Sequence, residues 1–115
     1  MLSIETLREF GASVDEGMER CLNKEDFYLR LVSNVLDDEG FEKLNAALAQ
    51  NDLDAAFEAA HSLKGSTGNL ALTPLYEVLQ EVTELLRARK EMDYTEYLRK
   101  INEKREELKK LCESE

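Results

Sequence analysis

Among 115 residues there is one histidine, His61, and the residues spaced around it could act on a phosphoryl group. A neutral imidazole is nucleophilic near neutral pH because its unperturbed pKa is about 6.5. Lys64 and Gly65 follow three and four positions later, and Gly68 seven positions later, all spacings that neighbour His61 on a helix surface. Phosphoryl transfer needs in-line approach and positive charge around the equatorial oxygens, and an ammonium one turn away can supply part of that charge. Glycine costs about 1 kcal/mol in a helix interior, so Gly65 and Gly68, in a segment otherwise rich in Ala and Leu, need a compensating use. A bare surface that lets another protein bring its reacting group to His61 is one use. Close packing of a neighbouring helix is the other.

Competing chemistries fit less well. Glu58-x-x-His61 matches half of a carboxylate di-iron site, but the second half requires another histidine. Ser62 adjoins His61, and adjacent helix residues do not face each other, so a nucleophilic triad is disfavoured. Gly65-Ser66-Thr67-Gly68 lies inside a helical pattern, and the chain has no Gly-x-x-x-x-Gly-Lys-Ser/Thr loop for ATP. Cys21 and Cys112 are far apart and belong to no Cys-x-x-Cys pair, so both are expected as reduced thiols in or near the core.

A histidine on a helix face needs a scaffold, and the pattern supplies helices from end to end. Ser3 can cap a first short helix ending near Gly11, and Ser13-Val14-Asp15-Glu16 reads as a capping box for a second, ending near Asn23. Apolar residues recur at helical spacing over 24–50, with Gly40 marking a bend or a break into two helices. After Asp52 a third pattern runs to about Leu70. Thr73-Pro74 supplies a cap and first-turn proline for the stripe Leu75, Val78, Leu79, Val82, Leu85 and Leu86. Asp93 and Glu96 form a capping pair ahead of Tyr97, Leu98, Ile101, Leu108 and Leu111. The expected fold is all-α: an antiparallel up-down-up-down four-helix bundle over 24–113, with short covering helices over 1–23, in one domain spanning 1–115. At about 100° per residue, Leu53, Ala56, Ala60, Leu63, Thr67 and Leu70 share a core arc, and His61 lies roughly 120° from its centre, facing out.

The 25 acidic residues against 15 basic ones leave a net charge of -10, which disfavours nucleic acid and anionic membrane surfaces as partners. No stretch has the length and apolarity of a bilayer span, and the N-terminus lacks a basic segment followed by an apolar run. A cytoplasmic protein is expected. Charge runs such as Lys104-Arg105-Glu106-Glu107 read as a solvated helix face.

The segment Ala60-His61-Ser62-Leu63-Lys64-Gly65-Ser66-Thr67-Gly68-Asn69-Leu70 closely resembles the His-x-Leu-Lys-Gly-Ser signature of histidine phosphotransfer (HPt) domains. The similarity extends to Phe27-Tyr28, Leu31, Ala47-Leu48 and Asp52. The resemblance implies a standalone phosphorelay carrier rather than an enzyme. His61 would accept a phosphoryl group from a receiver-domain aspartate and hand it to another receiver. Implied partners are response-regulator receivers and a hybrid histidine kinase, with a monomer sufficing. No cofactor is implied for the chain itself, magnesium arriving with the receiver. Lys64 would steady the phosphoryl oxygens and Gly65 would clear space beside the imidazole, with Gly68 and Thr83 in support. Two positions depart from the family pattern: Ala71 stands where a glycine is common, and Thr83 where many members carry a glutamine. Thr83 is expected to reach the imidazole less well, its side chain being shorter. The dimerisation helix of a sensor kinase would carry an acidic residue after the histidine, where Ser62 stands. The remaining rival is an interaction module that binds receivers without carrying phosphate.

Overall fold

The computed structural model describes residues 2–113, and side chains as far as residue 111. Among the described residues there are seven α-helices and no strands: α1 (Ile4–Phe10), α2 (Val14–Arg20), α3 (Glu25–Leu36), α4 (Gly40–Ala49), α5 (Leu53–Asn69), α6 (Thr73–Arg87) and α7 (Thr95–Glu113). Cys21 is a buried free thiol, whereas the Cys112 side chain lies outside the described residues.

Of the bend or break expected within 24–50, the break is what occurs: the segment is two helices, α3 and α4, interrupted at Asp37–Glu39. Gly40 is not the break itself but the first residue of α4, where its N–H donates to Asp38 Oδ1 at 2.7 Å. The two still act as one leg of the bundle. Tyr28 at the start of α3 reaches the Leu70 carbonyl at the far end of α5, and Gly40 faces Leu63 in mid-α5. The leg therefore runs antiparallel to α5. Gly68 lies against Tyr76 and Asp54 pairs with Arg89, so α6 runs antiparallel to α5 in turn. Arg105 with Glu42 and Asn102 with Asn45 set α7 antiparallel to α4 and close the bundle.

One side of every leg is apolar and buried. Tyr28, Val32, Phe41 and Leu44 meet Ala56, Ala60 and Leu63 of α5, Leu75, Leu79, Val82 and Leu86 of α6, and Ile101 and Leu108 of α7. Each large aliphatic side chain in this core contributes about 1.5–3 kcal/mol. Leu7, Phe10 and Val14 of α1 and α2 join the same core, so the short helices cover one end of the bundle. Arg105, expected on a solvated face, is instead 9% exposed. It bonds the Leu36 carbonyl twice, at 2.9 and 2.7 Å, with its guanidinium 4.4 Å over the Phe41 ring. A cation thus satisfies a carbonyl left free where α3 stops.

Caps explain most of the boundaries. Ser3 and Thr6 form a reciprocal capping box at α1, and Asp52 accepts from the Ala55 N–H at 3.1 Å at α5. Three expected caps do not form as the pattern implies. Ser13 makes no side-chain bond to α2, and α6 begins after Leu72 with Thr73 already inside it. The two hydroxyls bond each other at 2.9 Å, which ties the cover to the α5–α6 turn. Asp93 bonds the N–H of Thr95 rather than pairing with Glu96. Four helices, α1, α4, α5 and α6, end with crossed carbonyl bonds around one left-handed residue. Glycine fills that position only at Gly11 (φ 106°), while Asn51, Ala71 and Arg89 hold φ of 56°, 57° and 53°.

Candidate functional site

The cap at Asp52 starts α5, and its run of Ala and Leu continues it for 17 residues. Ala56, Ala59, Ala60, Leu63 and Thr67 are buried on one side. His61 is on the opposite side and exposed, as the 100° count requires. Lys64, one turn on, is half-buried, and Gly65 is exposed. Lys64 forms no ion pair among the described residues, so its charge is available to an incoming anion.

The two glycines differ. A Cβ at Gly65 would meet nothing within 4 Å, which leaves the approach to His61 open. A Cβ at Gly68 would lie 2.8 Å from the Tyr76 ring, so Gly68 is a close contact between α5 and α6 and not part of a bare approach surface. Close helix packing is thus the use of Gly68, while Gly65 leaves open surface.

His61 is held by a residue the sequence reasoning missed. The Phe57 ring, one turn earlier on α5, stacks on the imidazole with centroids 5.5 Å apart and planes 20° from parallel. Two guanidinium groups approach the same Phe57 ring, Arg87 at 5.1 Å and Arg89 at 4.8 Å from its centroid. Arg89 is fixed in place by bonds to Asp54 Oδ1 and the Leu86 carbonyl, both 2.7 Å. The available signal was the i, i+4 spacing of Phe57 and His61. The arginines depend on the α5–α6 register, which no local pattern reveals.

That register, fixed by Gly68 against Tyr76 and Phe57 against Arg87, sets Thr83 level with His61. Thr83 nonetheless points into the core. It is fully buried, and its hydroxyl has no hydrogen-bond partner among the described residues. The expectation that Thr83 serves the imidazole poorly is met for a further reason: its hydroxyl lies on the buried side of α6 while the ring is on the outer side of α5.

A groove of about 620 Å³ runs beside the site between α2, α5 and the start of α6, lined in part by Arg20, Lys64, Gly65 and Tyr76. Arg20 bridges its rim by donating to the carbonyls of Gly68 and Asn69. His61 stands outside this groove on open surface, a setting suited to a macromolecular reactant. Among the described residues no three His, Cys, Asp or Glu side chains gather as a metal site, and no helix is long and apolar enough to cross a membrane.

The family model described as the Hpt domain matches residues 36–114, which include α4 to α7 and every residue of the site except Arg20. No curated protein and no solved structure gives a significant match.

Proposed function

Because the chain belongs to the Hpt domain family, whose members are phosphocarriers of phosphorelays, we propose that His61 accepts a phosphoryl group from a receiver-domain aspartate and passes it to a second receiver. The observation that carries this reading is the exposed imidazole with Lys64 one turn away, in no ion pair among the described residues, and open space over Gly65.

In the step, a lone pair on the outward ring nitrogen attacks phosphorus as the bond to the aspartyl oxygen breaks. The carboxylate leaves with that electron pair, and the proton on the other ring nitrogen stays or passes to solvent. Lys64 offsets charge on the equatorial oxygens, and Gly65 leaves room for the partner's loops. Magnesium would be held on the receiver's side. The reverse reaction, with a different receiver, discharges the carrier. A monomer acting in the cytoplasm with receivers and a hybrid kinase is the arrangement we favour.

The test is to mix the protein with a labelled phospho-receiver and characterise the phosphate. A base-stable, acid-labile label on the wild type, absent from His61→Gln, supports the carrier. Lys64→Ala should slow transfer roughly ten- to a hundredfold with helix content unchanged. Binding of the receiver without any label would instead favour the interaction module.

A further inference from the structure

We infer that Phe57 is a positioning residue for His61, a reading that rests on His61 being the acceptor. An exposed imidazole on a helix can turn about two side-chain bonds, and only some orientations present a nitrogen in line with an incoming phosphorus. Something must restrict it. The level residue on α6, Thr83, contributes no hydrogen bond to it. The flat contact in this chain is Phe57, stacked at 5.5 Å and 20°.

Phe57 is itself restrained. Its ring is half-buried, and it carries the guanidinium groups of Arg87 and Arg89 within 5.1 and 4.8 Å of its centroid. Arg89 adopts a left-handed φ of 53°, a conformation that strains a side-chain-bearing residue. Its bonds to Asp54 and to the Leu86 carbonyl hold it in that shape. The series Asp54, Arg89, Phe57, His61 therefore joins the start of α5 to the end of α6 and terminates on the imidazole. Stacking restricts the ring plane without occupying a nitrogen, and no hydrogen-bond donor among the described residues reaches His61, so the nucleophilic lone pair stays available.

The lone histidine makes the idea directly readable, because its imidazole carbon-bound protons are unambiguous in an NMR spectrum. A stacked phenyl ring shields them. In wild-type protein these protons should resonate upfield of a free imidazole, and Phe57→Leu, which keeps apolar bulk but removes the flat ring, should abolish that displacement. Phe57→Tyr should restore it. With a phospho-receiver, Phe57→Leu should accept phosphate to the same final extent but about tenfold more slowly, and Phe57→Tyr should recover the rate. An unshifted wild-type imidazole, or a Phe57→Leu protein with wild-type shifts and rate, overturns the inference. If the shifts behave as stated but wild-type protein never takes up phosphate, the carrier function fails and Phe57 loses its positioning role with it, while the stack itself stands.

Discussion

Gly65 and Gly68, three residues apart on α5, have opposite surroundings: open space over the first and the Tyr76 ring, 2.8 Å from a would-be Cβ, over the second. Sequence spacing gives both the same status beside His61. The packing of α6 separates them, because the antiparallel register brings Tyr76 over only one.

Gly65→Ala should therefore stabilise the protein, by about 0.5–1 kcal/mol, since a methyl there removes the helix penalty of glycine without a clash. On the proposed carrier function the same change should slow phosphoryl transfer, because the methyl enters the open space through which a receiver would approach. Gly68→Ala should do the reverse, destabilising by about 1–3 kcal/mol as the Tyr76 ring is displaced. Urea unfolding alongside a transfer assay checks both; a Gly65→Ala protein that transfers at the wild-type rate would remove Gly65 from the reaction.

Thr83 carries a buried hydroxyl with no partner, a state that costs about 1–3 kcal/mol. Thr83→Val keeps the shape and deletes the oxygen. Stability should rise by about 1 kcal/mol, with transfer unchanged. A loss of either quantity, measured by denaturation and by phosphate uptake, would mean that the hydroxyl has a partner in solution.

Arg105 fastens α7 to the interruption between α3 and α4 through two bonds to the Leu36 carbonyl. Arg105→Met should lose about 2 kcal/mol, the scale of hydrogen bonds from a charged group, and Arg105→Lys should recover only part because an ammonium lacks the planar fork. Amide exchange at 37–41 should accelerate in both variants. Unchanged exchange there would show that the interruption holds without Arg105.

Burial raises the Tyr28 phenol from its ordinary 10.0 to about 12, with the neighbouring Cys21 thiol adding to the shift. The folded state thus holds the phenolic proton more tightly than the unfolded chain. The associated stability is complete below pH 10 and disappears as the pH rises toward 12. Tyr28→Phe should be less stable by about 1 kcal/mol at neutral pH, through loss of the bond to the Leu70 carbonyl, and should show a shallower decline in this alkaline window. Equal alkaline slopes for the two proteins would count against Tyr28 as the titrating group.

The parts legible in the sequence are those fixed by local periodicity. The core faces of α5 and α6, the outward direction of His61 and the cap at Ser3 depend on residues within one or two turns. Ser13 and Thr73 look like caps locally, but each hydroxyl finds the other across 60 positions, and that competition lies outside any local pattern. Phe57 was legible by spacing but reads as core in isolation, and Arg87 and Arg89 acquire meaning only from the α5–α6 register. Ala71 is instructive in another way. The resemblance puts a glycine there, and its φ of 57° gives the reason: the position closes α5 in a left-handed turn. The departure is more than an added methyl, because the alanine retains a backbone strain that glycine would relieve.

The ties between the cover and the α5–α6 turn bear on how this carrier could be cut and moved. A fragment starting at Leu36 would keep His61, Lys64 and Gly65, yet it would lose Leu7, Phe10, Val14, Tyr28 and Val32 from the core. The carbonyls of Gly68, Asn69 and Leu70 would lose the Arg20 and Tyr28 groups that now bond them. Anyone grafting the His61 helix into a synthetic relay should therefore transplant the first 35 residues with it, treating them as the foundation of that helix rather than as a removable leader.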